Sequence, residues 1–345
     1  MHQDILFKPF NLSDELTLKN RIIMAPMNRS MADNSSVPTV DMADYYGRRA
    51  DTGLIITESL MISPSAMGYP NTPGIFTSSQ IDGWKIVTDK VHENGGKIFA
   101  QLWHTGRVSH PDYLNGEKPY APSAVALTGR IPRSNNLQYG EPREMTNSEI
   151  QQLINDFSQA AANAREAGFD GVEIHAANGY LLDQFLHHDT NRRSDSWGGT
   201  PENMSRIIFE VIDAVSSQIS HVGLRLSPAA YIHLEHDDRD SSVSDYLLNR
   251  LNRYALSYVH TGMFEDGYYD HLGGSVTQYI RSHYSGTVIA CGGYSAETGR
   301  ETILKGDANL IAIGRPLIAN PDYVEKVRNL KPLKAYEVEM LNTLV

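Results

Sequence analysis

Three polar side chains follow a short apolar run: His175, Asn178 and Tyr180 stand just after Gly171-Val172-Glu173-Ile174. An imidazole and a carboxamide can both donate hydrogen bonds to one oxygen. A tyrosine, with its ordinary pKa of about 10, keeps its proton at neutral pH and can deliver it as a general acid. A lone histidine at such a place is more often a satisfied structural residue; three polar groups at one strand end make a candidate catalytic site. Gln101 and Trp103 close a second run, Ile98-Phe99-Ala100. An amide there can pair with a ring edge that offers both a donor and an acceptor, or it is a core glutamine with an internal partner. Arg225 is the charge inside a third run, Val222-Gly-Leu-Arg-Leu226. A cation in that position needs an anionic or strongly accepting partner, either a ligand or Glu173 or Glu58 on another strand. Two further runs end in Cys291-Gly292-Gly293-Tyr294 and Gly314-Arg315-Pro316. Glycines let backbone N–H groups approach a phosphate and an arginine can grip it bidentately, so the two loops together read as a phosphate site; the alternative is two tight turns.

These residues need a frame that brings separate strand ends together. Eight apolar, β-rich runs recur along the chain, at 22–25, 54–57, 98–101, 171–174, 222–226, 256–259, 287–290 and 310–313. Continuous apolar runs mark parallel strands buried on both faces. Helical stretches lie between them at 80–94, 147–167, 201–218, 297–304 and 321–329; the second starts at an Asn147/Ser148 cap and stops at Gly168, and the third opens with Pro201. Eight strand–helix units predict an α/β fold of the (β/α)8 TIM-barrel type with an N-terminal cap, spanning 1–345 as one domain. A doubly wound sheet is the structural competitor. In a barrel, chemistry sits on the loops after the strands, and the loops after strands seven and eight usually hold phosphate. The long connections after strand three (103–146) and strand six (260–274) have the size of lids or binding loops.

The chain has 345 residues, with 30 Lys and Arg against 41 Asp and Glu, a net charge of −11. That balance argues against a nucleic-acid footprint and against an anionic membrane surface. No apolar run approaches the roughly 20 residues of a membrane span. The N-terminus shows no basic segment followed by an apolar one, so a cytoplasmic protein, monomeric or homodimeric, is expected. One cysteine, Cys291, excludes an internal disulfide framework and a Cys-ligated iron–sulfur cluster, and it reads as a small buried residue. His187-His188 and His233…His236 lack a metal-ligand spacing and read as exposed, and no metal is expected. The acidic run from Glu235 to Asp240 reads as a solvated loop. Neither a Walker A nor a G-x-G-x-x-G pattern occurs.

Several segments, in order, resemble one family, the old yellow enzymes. They are Asn20-Arg-Ile-Ile-Met-Ala-Pro-Met27, Gln101-Leu-Trp-His-Thr-Gly-Arg107, His175-Ala-Ala-Asn-Gly-Tyr-Leu-Leu-Asp-Gln-Phe-Leu186 and Asn191-Arg-Arg-Ser-Asp-Ser-Trp-Gly-Gly199. Gly223-Leu-Arg-Leu-Ser-Pro228, Cys291-Gly-Gly-Tyr294 and Gly314-Arg-Pro-Leu-Ile-Ala-Asn-Pro-Asp322 complete the set. The resemblance covers nearly the whole chain. It implies an FMN-dependent ene-reductase that takes hydride from NADPH or NADH and passes it to an activated alkene or nitro compound, with both using one pocket in turn. It implies that Gly292, Gly293, Gly314 and Arg315 hold the FMN phosphate, that Gln101 pairs with the flavin pyrimidine edge, and that Arg225 lies beside N1 and the C2 carbonyl. Pro26, Met27 and Ser59 would line the ring. His175 and Asn178 would bind the substrate carbonyl or nitro oxygen, Tyr180 would protonate the α carbon, and Tyr69 and Trp103 would shape the pocket.

Some positions depart from the family pattern. Asn28 stands where the family usually has Thr or Cys donating to the flavin C4 carbonyl, which predicts a shifted flavin potential. Trp197 and Met204 replace a family Tyr and Arg and read as packing changes. The Phe-Tyr-Gly-Gly…Tyr tail of some members is missing, so the resemblance does not imply a tail aromatic closing the substrate pocket, and the sequence after Thr261 is unlike the common loop six. A flavin-binding sensor or store with little turnover is the alternative function. A sugar-phosphate aldolase or isomerase barrel is a further one, but it would want a catalytic Lys or carboxylate pair at the strand ends.

Overall fold

In the computed structural model, which describes residues 4–134, 136–229 and 232–344, eight parallel strands close into a barrel. They are β1 (Ile22–Met24), β2 (Leu54–Met61), β3 (Ile98–Trp103), β4 (Gly171–Ala176), β5 (Val222–Leu226), β6 (Tyr258–Thr261), β7 (Val288–Ala290) and β8 (Leu310–Ile313). Every residue of these strands is buried, as continuous apolar runs require when side chains fill the barrel on one face and meet helices on the other. The helices after the strands are α1 (Val40–Gly47), α2 (Ser78–Glu93), α3 (Asn147–Glu166), α4 (Pro201–Ser216), α5 (Asp240–Leu251), α6 (Val276–His283), α7 (Ala296–Lys305) and α8 (Tyr323–Arg328). The N-terminal cap is a short antiparallel hairpin, Phe10–Asn11 with Thr17–Leu18.

The expected strands are all present, with adjusted ends; the first stops at Met24, the fourth runs on to Ala176 and the seventh begins at Val288. The second runs on to Met61 and the third to Trp103, and the sixth begins at Tyr258 and reaches Thr261. Pairing decides these ends: Val259 stands opposite Leu224 and Val288, so the sixth strand carries His260 inward instead of ending at Val259. Helices α1, α5 and α6 were not foreseen. α5 follows the acidic run, whose last member, Asp240, opens the helix and is buried. The cap of α3 is Thr146, one residue earlier than expected, and it forms a reciprocal capping box with Glu149. Such a cap contributes about 1 kcal/mol. Glu149 also takes a bidentate pair from Arg143, at 2.6 and 2.9 Å, which holds its carboxyl down at about 2.

The register places the polar residues of the barrel interior in layers. Ser59 is opposite Gln101 and Gln101 opposite Glu173; one layer further, Arg225 is opposite both His175 and His260. A shift in register between Ile56 and Ser59 turns Ser59 toward Gln101. Such irregularities re-aim side chains beside functional sites.

Candidate active site

A cavity of about 360 Å3 opens where the carboxyl ends of the strands converge. That is within the size range of a small-ligand pocket, and this end of a barrel is where its chemistry sits. Pro26, Met27 and Asn28 after β1, Ser59, Gln101, His175, Asn178, Tyr180, Arg225 and Arg315 all line it. Ten of the proposed site residues, drawn from six strand ends and loops, thus share one cavity.

Its floor is a chain of buried hydrogen bonds. The Ser59 hydroxyl donates to Gln101 Oε1 at 2.7 Å, and Gln101 Nε2 donates to Glu173 Oε1 at 2.7 Å. Glu173 Oε2 accepts from His260 Nδ1 at 2.8 Å. A carboxylate can only accept, so Glu173 dictates which end of the Gln101 amide faces it. One amide N–H and one carbonyl lone pair of Gln101 are left for a ligand edge. Burial raises the Glu173 carboxyl, but His260, Arg225 and Gln101 outweigh it and hold the group below the ordinary range.

Arg225 makes no ion pair among the described residues. The Glu173 oxygens are engaged by Gln101 and His260. Glu58 lies elsewhere, accepting from the Arg29 and Ser30 N–H groups at 3.2 and 2.9 Å and from the Tyr46 hydroxyl at 3.3 Å. Among the described residues the Arg225 guanidinium reaches only the Cys291 sulfur, at 3.9 Å, and its buried Nε has no partner. An interior cation without an anion is the mark of a site that takes its accepting partner from a ligand. Asn28 gives its carbonyl oxygen to the Ser59 N–H at 3.0 Å, which leaves its amide nitrogen as the free end.

On the opposite wall, burial above all, with the Arg225 charge, drives the His175 imidazole down to about 3. It is therefore neutral at any working pH, and its buried Nδ1 has no partner. Asn178 has a left-handed backbone (φ 59°), and its amide donates to the Gly262 carbonyl, leaving one N–H. Burial pushes the Tyr180 hydroxyl up to about 12, against the Tyr69 hydrogen bond that lowers it. The two hydroxyls are 3.1 Å apart. Tyr69 lies flat on Trp103 (5.8 Å between centroids, 5° between planes), and Trp103 meets the Tyr180 ring edge-on at 5.0 Å. Tyr69 and Trp103 therefore stand behind Tyr180 and fix it.

Of the phosphate-loop residues, Arg315 lines the cavity and Gly314 lies beside it, close to Met27. Gly293 is exposed and Gly292 half-buried, with residues 264–266 of the loop after β6 beside them. A Cβ on Gly292 would come within 2.5 Å of the Asp266 nitrogen, and the Asp266 N–H donates to the Gly292 carbonyl at 3.1 Å. Asp266 is tied down by the Tyr294 hydroxyl at 2.6 Å, Ser275 Oγ at 3.2 Å and the Thr277 N–H at 3.2 Å. The Arg315 guanidinium packs against the rings of Phe264 and Tyr336.

Several lining residues were missed. Ile232 and Gly262–Phe264 come from the loops after β5 and β6, Arg133 from the long excursion after β3, Ile318 from beyond β8, and Tyr336 and Leu341 from the tail. Tyr336 brings a tail aromatic to the cavity, beside Arg315. Arg29, fully buried, holds the tail in place by donating to the carbonyls of Met340 (2.8 Å) and Thr343 (2.5 Å). A single tyrosine in a polar tail was the available signal. His187 is also buried rather than exposed, between Asp183 and Asp240, and Asp240 is no part of a solvated loop. Trp197 and Met204 are buried packing residues, as expected; the Trp197 indole donates to Asn147 at 3.0 Å. Among the described residues no helix is long and apolar enough to cross a membrane.

The donor set fits a flavin: a ring-edge amide with one donor and one acceptor free, and an interior guanidinium and an imidazole each with a buried nitrogen unsatisfied. Comparison with known proteins agrees. Residues 5–334 match the model of the NADH:flavin oxidoreductase / NADH oxidase family. The chain is 39% identical over 340 residues to putative 12-oxophytodienoate reductase 2 of Oryza sativa subsp. japonica, covering 96% of this chain and 89% of the relative. It is 41% identical to putative 12-oxophytodienoate reductase-like protein 1 of Arabidopsis thaliana, covering 94% and 99%. Among solved structures, morphinone reductase superposes with a TM-score of 0.89 at 39% identity, over 97% of this chain and 92% of the other. The old yellow enzyme homologue from Zymomonas mobilis gives 0.91 at 36% identity, over 97% and 96%. Nothing among these relatives supports a flavin sensor or store. The chain belongs to the NADH:flavin oxidoreductase / NADH oxidase family, and is an old yellow enzyme: an FMN-dependent, NAD(P)H-dependent ene-reductase built on a TIM barrel.

Proposed function

We propose that this cavity binds FMN along the Gln101–Arg225 side and an activated alkene, an enone, enal or nitroalkene, against His175, Asn178 and Tyr180. When bound, FMN accepts hydride from a nicotinamide dinucleotide and supplies it to the alkene β carbon. Gln101 holds the pyrimidine edge through the amide N–H and the lone pair that Ser59 and Glu173 leave free. Arg225 favours negative charge gathering at that end of the ring. Asn28 offers its free amide nitrogen to the ring's remaining carbonyl, Pro26 and Met27 pack against its face, and Arg315 beside Gly314 takes the phosphate.

His175 and the uncommitted N–H of Asn178 donate to the substrate oxygen. As hydride arrives, negative charge grows on that oxygen, and donors fixed in a water-poor cavity stabilise it more than they stabilise the ground state. A neutral imidazole suits this role, because it donates to the charge that builds on the oxygen without holding it as an ion pair before the α carbon is protonated. Tyr180 then releases its proton to the α carbon: its O–H bond breaks, a C–H bond forms, and the phenolate left behind accepts from Tyr69. Reductant and alkene use one pocket in succession, so the kinetics are ping-pong.

The observation that carries this reading is that Arg225 and His175, each with a buried nitrogen unsatisfied, open onto one cavity with the Tyr180 hydroxyl. The test is the visible spectrum of the purified protein, reduced without oxygen by NADPH or NADH in separate runs and then given cyclohexenone. A flavin spectrum that bleaches and returns supports the reading. A protein that binds no FMN even when it is added would refute it.

A further inference from the structure

The two histidines in Leu186-His187-His188-Asp189 take no part in the mechanism above, yet His187 is 2% exposed and sits at the centre of a buried charge network. Its Nε2 is 3.1 Å from Asp183 Oδ1 and its Nδ1 is 2.8 Å from Asp240 Oδ2. Both carboxylates are themselves buried. A neutral imidazole has one N–H, so one of these two contacts would set lone pair against lone pair. Both are satisfied only if the ring carries two protons. Burial opposes that charge, but Asp183 and Asp240 outweigh it and push the group up to about 10.

The network leads to the substrate donors. Asp183 Oδ2 accepts from the Gly179 N–H at 2.9 Å and from the Ser227 hydroxyl at 3.1 Å, and Ser227 Oγ in turn accepts from the Asn178 N–H at 2.8 Å. These two amides belong to consecutive left-handed residues, Asn178 (φ 59°) and Gly179 (φ 74°), immediately before Tyr180. Left-handed backbone at a non-glycine residue persists only where its surroundings over-determine it. A Cβ at Gly179 would strike the Ile232 carbonyl at 2.4 Å, so the turn is also pressed against the loop after β5. At the far end, Asp240 opens α5 and accepts from the His188 N–H and Nδ1 at 2.9 and 2.8 Å. Asp237 and Arg239 pair with each other just before it.

We propose that Asp183, His187 and Asp240 form a buried ion triad, with His187 as an imidazolium, and that this triad is the positioning element that sets the turn carrying Asn178 and Tyr180 into the substrate pocket. His187 lies against Asp183 Oδ1, and the other oxygen of the same carboxylate accepts from both Gly179 and Ser227. Removing the imidazolium leaves two carboxylates close together in a buried site. One of them takes up a proton, and the acceptor of the turn is weakened. The assignment of the turn to substrate binding rests on the reading given under Proposed function.

The test uses the FMN-loaded protein. A nitrogen-resolved NMR spectrum of its histidines at pH 8 is expected to show both ring nitrogens of His187 protonated, and a neutral ring overturns the proposal. This arm does not depend on the flavin reading. In His187→Gln, the KM for cyclohexenone is expected to rise about tenfold or more, and further as the pH falls toward about 5, while the FMN dissociation constant stays within about twofold. A purely structural role would not make KM follow pH, and a KM equal to wild type, or one with the wild-type pH profile, overturns the proposal. Should that variant fail to fold, Ser227→Ala cuts the link between turn and triad without altering the charges. Its KM is expected to rise in the same way with FMN affinity intact, and an unchanged KM is the refuting result. Failure of the wild type to bind FMN would refute the function, not the triad.

Discussion

Tyr69→Phe removes one oxygen, and the structure says what that oxygen does. The Tyr69 hydroxyl is 3.1 Å from that of Tyr180 and is the only partner recorded for it among the described residues. The ring stays, because it lies flat on Trp103, and so does Tyr180, wedged edge-on against Trp103 at 5.0 Å and His175 at 5.2 Å. The change therefore isolates a hydrogen bond. While Tyr180 is protonated, that bond joins two neutral groups and contributes about 0.5–1.5 kcal/mol; once the proton has left, it joins a neutral donor to a phenolate and contributes about 1.5–3 kcal/mol. Only the difference, about 1–1.5 kcal/mol, affects the rate of proton delivery. At 1.36 kcal/mol per factor of ten, the step slows about 5- to 15-fold. The direction agrees with the electrostatics, since Tyr69 lowers the Tyr180 hydroxyl against the dominant effect of burial, and its loss makes Tyr180 a weaker acid. Anaerobic stopped-flow separates the half-reactions: reduction by NADPH should be unchanged and reoxidation by cyclohexenone slowed. Reoxidation within twofold of wild type, or both half-reactions slowed alike, would show that Tyr69 does not act through the Tyr180 proton.

Two further outcomes follow from the site. In Arg225→Met the interior cation is lost while its bulk is kept; with a charge-assisted hydrogen bond contributing about 1.5–3 kcal/mol, FMN should bind about 10- to 150-fold more weakly, and the flavin potential should fall. Fluorescence titration and a redox titration read the two effects, and an unchanged dissociation constant would mean that Arg225 does not face the ring. Gly292→Ala places a methyl 2.5 Å from the Asp266 backbone at a φ of 154°, so the loop after β6 must lift; urea denaturation of the apoprotein should show a loss of about 1–3 kcal/mol, and an undiminished midpoint would count against the packing described here.

The barrel was legible because its strands are buried on both faces. A run such as Leu54-Ile-Ile-Thr57 has no exposed side, and eight such runs leave few alternatives to closure. The helices that escaped notice had weaker punctuation. α5 follows an acidic stretch that looked like solvent-facing loop, and α1 and α6 span eight residues each, too few for a clear period. His187 was misread for a related reason. A histidine beside a histidine in a polar stretch carries no local sign of burial, because the two carboxylates that accept it come from a helix turn and from a helix more than fifty residues away.

By itself the sequence determined the fold class, the family and the identity of the polar groups at the strand ends, since those depend on residue type and order along the chain. Which groups are free to act was decided only in three dimensions. Glu173 and Arg225 stand inside adjacent strands, and sequence left an ion pair between them open; the register gives Glu173 to Gln101 and His260 and leaves Arg225 turned toward the cavity. Tyr69 and Trp103 became supports for Tyr180, Gly292 came to lie beside a loop, and Tyr336 arrived from the tail. Hydrogen-bond partnership and burial are settled between segments far apart in the chain, and a local pattern of residues carries no information about which distant segment will reach it first.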